Sequence, residues 1–266
     1  MNTVQVNGIN LYYEIHGQGE PLVLIEGLAS DHNAWGPHLD ALTKHFRCLI
    51  FDNRGMGHTD KPESEYTTRV YAEDTASLMD AVGFSDAHLA GLSMGACIAQ
   101  ELCLAYPDKV RSMVLVSGWA RPDNYFAELV NLWIQMAENS ETDVMWKDIL
   151  LWSFSPKMYK ERPKDIQSLK DDLNQADISM RAFIQQARSL ITHDAYDRLA
   201  QVKVPALILV GSADIFTPYR LAEELHRAIP GSQLEVLENQ AHAFPLENPQ
   251  ALDGRLIHFI QNLQKN

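Results

Sequence analysis

Residues 87–97 read Ala87-His88-Leu89-Ala90-Gly91-Leu92-Ser93-Met94-Gly95-Ala96-Cys97, a G-x-S-x-G pattern placed directly after an apolar run and directly before a helical stretch. A strand that turns sharply into a helix exposes the hydroxyl of the residue at the turn, and side chains two before and two after it would collide, so both are glycine. The helix that follows points its positive dipole end at Ser93, and Ala96 and Ala99 let it pack closely. The chemistry implied is nucleophilic attack by Ser93. A serine hydroxyl is a weak nucleophile by itself and needs a base brought to it in three dimensions, and that base needs an orienting acid. Of ten histidines, His242 stands out, in the loop-like Gln240-Ala241-His242-Ala243-Phe244-Pro245 after the last predicted strand. The others read as surface or turn residues. Asp214 lies just past the penultimate strand, in Gly211-Ser212-Ala213-Asp214-Ile215-Phe216-Thr217-Pro218. Taken singly, Asp214 is equally well read as a helix N-cap. Together, Ser93, Asp214 and His242 follow the chain order of a nucleophile–acid–base triad. Asp123, after the sixth strand, is the fallback acid.

These three residues need a scaffold that brings distant loops to one edge. Alternation in residues 4–6 and 11–15 around Asn7-Gly8 predicts an opening β-hairpin. Short apolar runs follow at residues 22–25, 48–51, 87–89, 113–116, 207–210 and 234–237, with amphipathic stretches between most of them. Strands apolar on both faces, alternating with helices, predict an α/β fold: a mostly parallel, eight-stranded sheet with helices on both faces. All three triad candidates then fall at carboxyl ends of strands, where such sheets hold their sites. The alternation breaks once. Roughly eighty residues from Trp119 to Val202 are too long for a structureless loop and have helical periodicity, with Phe126, Leu129, Val130, Trp133 and Ile134 in one stripe and Met180, Phe183, Ile184, Ala187 and Leu190 in another. Asp123 and Ser179 sit where N-caps belong. Residues 119–202 are therefore expected to form an all-helical lid after the sixth strand, and residues 1–118 and 203–266 the core. The tryptophans at or near the lid (Trp119, Trp133, Trp146, Trp152) predict an apolar pocket wall.

Composition narrows the functional classes. The chain has 266 residues, 46% of them hydrophobic and 21% charged, enough for one sizeable core. A formal net charge of −13 repels phosphate backbones and anionic lipid, which argues against nucleic-acid and membrane partners. Cys48, Cys97 and Cys103 are an odd set without metal-ligand spacing, read as small apolar residues in a reducing compartment. No signal-peptide pattern opens the sequence and no run reaches the 18–20 or so apolar residues of a membrane span. A cytoplasmic protein acting on a small molecule is expected, with no cofactor and no metal, and with a homodimer left open.

On the triad pattern together with Phe51-Asp52-Asn53-Arg54-Gly55-Met56-Gly57-His58-Thr59-Asp60, the chain resembles the α/β-hydrolase superfamily over nearly its whole length. The second motif is similar to the superfamily's D-x-R-G-x-G-x-S turn, a structural feature, with Thr59 in the serine position. Trp35 sits where an aromatic often follows the oxyanion loop. Two details depart from the pattern: Ala241 replaces the glycine before the catalytic histidine, and Glu26-Gly27 replaces His-Gly after the third strand. Within the superfamily, Gly91-Leu92-Ser93-Met94-Gly95 and the lid length most resemble 3-oxoadipate enol-lactonases, aminoacrylate hydrolases and related small carboxylesterases, which implies a small acid-derived or ester substrate. The resemblance also implies an oxyanion hole made of the backbone N–H groups of Leu28 and Met94, each worth about 3–4 kcal/mol of transition-state stabilisation.

The leading expectation is thus a serine hydrolase that cleaves an ester, lactone or related activated acyl bond through an acyl-enzyme. Cleavage of a C–C or enamine/amide-type bond by the same triad is an alternative, as is a ligand-binding receptor on the same fold. Glu26, Trp119 and Trp133 are the substrate-pocket candidates. A carboxylate beside the oxyanion would oppose the reaction. Glu26 is accordingly expected to be held away by Ser30, His32 or Arg54, or to be protonated through burial, bracing the turn or meeting a polar or amino group of the substrate.

Overall fold

Asn7 and Gly8 both adopt positive φ, 46° and 77°, the left-handed pair that a tight two-residue hairpin turn requires. They fold β1 (Thr3–Val6) back onto β2 (Ile9–His16). The computed structural model describes residues 2–264. In it β3 (Glu20–Ile25), β4 (Phe46–Phe51), β5 (Ala87–Leu92), β6 (Val110–Val116), β7 (Ala206–Gly211) and β8 (Gln233–Leu237) complete one eight-stranded sheet in the order β1-β2-β4-β3-β5-β6-β7-β8. The pairings from β4 through β8 are parallel, and β2 meets β4 antiparallel.

The two-residue period of a strand sorts the central side chains onto two buried faces. Val23 and Ile25 of β3, Leu49 and Phe51 of β4, and Ile208 and Val210 of β7 join the larger core. The residues between them, Leu22, Leu24, Cys48, Ile50, Leu207 and Leu209, join the other. Helices α1 (Gly36–Leu42) and α11 (Pro249–Leu263) cover the second face. Helices α2 (Thr68–Ala81), α3 (Met94–Ala105) and α9 (Tyr219–Ala228) cover the first. The expectation of strands buried on both faces fails at β8: Val236 is exposed and Leu237 alone is fully buried there. This strand is the sheet's edge and needs only one apolar anchor.

Between β6 and β7 the chain is helical: α4 (Asn124–Glu138), α5 (Thr142–Ser153), α6 (Pro156–Glu161), α7 (Pro163–Gln175) and α8 (Met180–Thr192). Asp123 caps α4 by accepting the Phe126 N–H at 2.8 Å, and Ser179 caps α8 through the Ala182 N–H at 3.3 Å. Both predicted stripes face inward, although Met180 and Ile184 are only partly buried. A third apolar cluster (Leu150, Phe154, Met158, Ile166, Ala243) joins this insertion to the loop after β8. Among the described residues no helix is long and apolar enough to cross a membrane. The three cysteines are free and buried.

The turn after β4 braces the front of the sheet. One Asp52 oxygen accepts the His32 N–H at 2.8 Å and lies 2.7 Å from His32 Nδ1, and the other accepts the His58 N–H at 2.8 Å. Gly57, at φ +46°, passes so close that a Cβ there would lie 2.2 Å from the Asp52 carboxylate. Arg54 makes a buried two-pronged pair with Asp74 at 2.7 and 2.8 Å. Thr59 Oγ1 donates to the Asp52 carbonyl at 2.7 Å and accepts the Tyr12 N–H at 2.9 Å. The hydroxyl is the working part of this side chain. Thr59→Ser, which gives up one buried methyl, is expected to lose about 0.8 kcal/mol, and isosteric Thr59→Val to lose more, about 1–3 kcal/mol, through the orphaned Tyr12 N–H. Chemical denaturation measures both, and equal stabilities for the two variants would contradict this role.

Candidate active site

Ser93 joins β5 to α3 at φ 56°, ψ −114°, a region that costs a non-glycine residue about 1–3 kcal/mol and persists only when its surroundings enforce it. They do so on both sides. A Cβ on Gly91 would lie 2.2 Å from the Gly95 carbonyl oxygen, and one on Gly95 would lie 2.1 Å from that of Ile25 on β3. The Ser93 N–H is tied to the Val116 carbonyl at 2.8 Å.

Asp214 and His242 arrive from the loops after β7 and β8. A Cβ on Gly211 would lie 2.0 Å from the Gln240 carbonyl oxygen, so this glycine lets the two loops touch. Asp214 Oδ1 accepts the N–H groups of Phe216 (3.0 Å) and Thr217 (2.7 Å). Its Oδ2 accepts the Thr217 hydroxyl at 2.9 Å and lies 3.0 Å from His242 Nδ1. Every acceptor direction of the carboxylate is thereby used. Since the Thr217 proton goes to Asp214, the partners favour a proton on His242 Nδ1, shared between Asp214 and Thr217 Oγ1 (2.9 Å), which leaves Nε2 as the acceptor. The Phe216 ring packs edge-on against the imidazole, centroids 4.5 Å apart. Asp214 is not the cap of α9, whose N-cap is Pro218. Asp123 is committed elsewhere, to its own helix and to Arg220 at 2.6 Å.

Ser93, His242 and Leu28 line one cavity of about 170 Å³ between the sheet edge and the helical insertion. Met94 is the first residue of α3, and its side chain is buried in the core. Trp133 lines the cavity, its indole N–H donating to Asp148 at 2.7 Å, and Trp146 lines it as well. Two pocket candidates are corrected. Trp119 does not line the cavity: it is fully buried, packed on Phe126 at 4.5 Å between centroids, and belongs to the core. Glu26 does not line it either, being buried behind Gly27.

Residues 20–249 match the α/β-hydrolase fold family. The chain belongs to the α/β-hydrolase family. It is 29% identical to RutD of Azorhizobium caulinodans, a protein named as a carbamate hydrolase, over 96% of this chain and 97% of that one. It is 30% identical to BpoC of Mycobacterium tuberculosis H37Rv, named as a non-heme bromoperoxidase, over 96% and 99%. Among solved structures, the enol-lactonase of Burkholderia xenovorans LB400 superposes with a TM-score of 0.91 at 25% identity, covering 98% of this chain and all of the other. The chain is an enzyme of this hydrolase fold.

The departures from the hydrolase pattern have local explanations. Ala241 is outside the positive-φ region, so no glycine is needed before His242. At Glu26, none of the expected partners reaches the carboxyl: Ser30 lines the cavity, His32 faces Asp52 and Glu14, and Arg54 is held by Asp74 and Ser64. The carboxyl accepts the Gly27 N–H at 3.2 Å. Burial pushes its pKa up to about 8, nearby Asp31 adds to the rise, and the Gly27 N–H opposes it. Glu26 is thus mostly neutral at pH 7, which removes its charge from the turn beside Leu28.

Gln186 on α8 carries a role that the periodicity hides. It is fully buried, accepts the Ala29 N–H and donates to the Arg54 carbonyl, both at 3.2 Å. Ala29 sits at φ 56°, and Gln186 ties that strained turn to the insertion. A glutamine within an apolar helical stripe was the available signal. The histidine reading also needs correction: His32, His38, His88 and His193 are buried, not surface residues. His38 pairs with Asp253 at 2.6 Å, and burial lowers the His193 pKa to about 4. Asp31, His32 and Asp52 have ligand atoms within 4.8 Å of one another, but these side chains already serve the turn.

The raised pKa of Glu26 has a stability consequence. In the unfolded chain the group ionises near its ordinary 4.5, and in the folded chain near 8. Between those values the folded state binds more protons, so this group makes stability fall as pH rises through the window and level off above it. Glu26→Gln, which keeps the acceptor for the Gly27 N–H, is expected to flatten that fall and to gain stability over the parent from pH 5 to pH 8. Denaturation curves at the two pH values test this, and parallel pH dependences would contradict it.

Proposed function

We propose that the chain is a serine hydrolase that cleaves ester or lactone bonds of small substrates through an acyl-enzyme. The observation that carries this reading is the placement of Ser93 and His242 on one cavity, with the His242 Nδ1 edge fixed by Asp214. In this scheme His242 Nε2 takes the Ser93 proton as Oγ bonds to the substrate carbonyl carbon, and the carbonyl electron pair moves to oxygen. The N–H groups of Leu28 and Met94 receive that oxyanion. Collapse of the tetrahedral intermediate breaks the bond to the alkoxy leaving group, which takes the proton from His242. Water repeats the sequence with His242 as base, releasing the acid and returning the proton to Ser93. Asp214 holds the imidazole and stabilises its charged form. The neutral form of Glu26 favours the same chemistry, because a carboxylate behind Gly27 would oppose the oxyanion. Three unpaired, buried thiols fit a reducing, cytoplasmic setting.

Ser93→Ala and His242→Ala are each expected to lower kcat for p-nitrophenyl butanoate by about 10⁴-fold or more, with the fold intact by circular dichroism. A folded Ser93→Ala variant that keeps the parent's rate would overturn the assignment.

A further inference from the structure

The cavity wall carries information about charge. Among the described residues, no titratable side chain apart from His242 lines it. The face contributed by the insertion includes Trp133, Trp146, Leu150, Phe154, Leu169 and Leu173. The hydroxyl of Ser153, one of the few polar groups there, is bonded back to the Ile149 carbonyl at 2.7 Å.

The layer behind the wall is acidic. Asp148 holds the Trp133 indole at 2.7 Å, Glu247 follows Leu246 and accepts the Ser155 N–H at 2.6 Å, and Asp214 lies behind His242. Four cations on neighbouring elements are engaged away from the cavity, and Lys160 and Lys164 are exposed and do not line it. Arg54 pairs with Asp74, Arg162 with Asp165, Lys147 with Asp143, and Lys170 lies over the Tyr159 ring.

An anionic group entering this space would lose its hydration, gain no cation and face the carboxyl groups of Asp148, Glu247 and Asp214 in the next layer. An unpaired buried carboxylate is among the costliest groups to accommodate. From the wall and the layer behind it, we infer that the substrate is uncharged and apolar over the portion enclosed by the insertion, and that an acyl chain ending in a carboxylate is rejected. The inference rests on the serine-hydrolase reading and narrows its substrate class. Of the acid-derived and ester substrates that the sequence resemblance implies, it favours the ester.

Three esters matched in acyl chain test it: p-nitrophenyl pentanoate, the mono-p-nitrophenyl ester of glutaric acid, and that monoester with its free carboxyl capped as a methyl ester. Each is assayed at pH 7.5 above the background rate measured with Ser93→Ala. The pentanoate is expected to exceed the free-acid ester in kcat/KM by about 100-fold or more. The methyl-capped ester, longer but neutral, should recover most of that loss, which separates charge from size. Leu173→Arg, which places a cation in the wall, should reduce the discrimination at least tenfold. Equal or better turnover of the free-acid ester by the parent would overturn the inference. If neither neutral ester is turned over above the Ser93→Ala background, the ester-hydrolase reading itself fails and the inference falls with it. Neutral turnover with no charge discrimination leaves that reading standing and overturns the inference alone.

Discussion

The structure depends most on one backbone constraint, the strained Ser93 turn between β5 and α3. Its φ of 56° with ψ of −114° survives because α3 sits almost in contact with β3 and with the end of β5, a fit that leaves no room for a Cβ at Gly91 or Gly95. That close approach fixes the helix N-terminus beneath the serine. It also places β3, and with it the Gly27–Leu28 turn, beside the hydroxyl: a Cβ on Gly27 would lie 3.3 Å from that of Ser93. The strain of one residue is distributed over three elements, so the hydroxyl is preorganised before any substrate arrives.

The second half of the site is held by hydrogen bonds. Asp214 is saturated by two backbone N–H groups, a hydroxyl and the imidazole, so its orientation and that of His242 form one unit. The insertion is connected to both halves. Gln186 grips the strained Ala29 turn, and the Ala243 N–H next to His242 donates to the Ser153 carbonyl at 2.8 Å. The helices that enclose the cavity therefore also brace the loops that carry its polar groups. Burial behind Gly27, away from the cavity wall, is what neutralises Glu26.

Much of this was legible in the sequence, because strand and helix periods are local and the elbow motif has its own steric logic. The runs at residues 22–25, 48–51 and 207–210 fall within observed strands, and Asp123 and Ser179 cap the helices they precede. What failed to read through depends on three-dimensional neighbours. Trp119 looked like a pocket wall, yet Phe126 from the next helix covers it. His38 looked exposed because its partner Asp253 lies 215 residues away. For Glu26 both a nearby donor and protonation through burial were open from the sequence, and burial prevails because Arg54 and His32 have better-placed acidic partners. Gln186 and Thr217 carry no motif. Their roles follow from which way their side chains point across an interface, and periodicity does not encode that.

The central claim is that this geometry makes Ser93 a covalent nucleophile. Rapid acid quench of the enzyme during the first turnover of p-nitrophenyl acetate, followed by peptide mapping by mass spectrometry, tests it directly. A transient acetyl adduct is expected on the peptide containing Ser93, formed with the burst of p-nitrophenol and lost as hydrolysis proceeds. Sustained Ser93-dependent turnover that passes through an acetyl adduct on a different residue would contradict it.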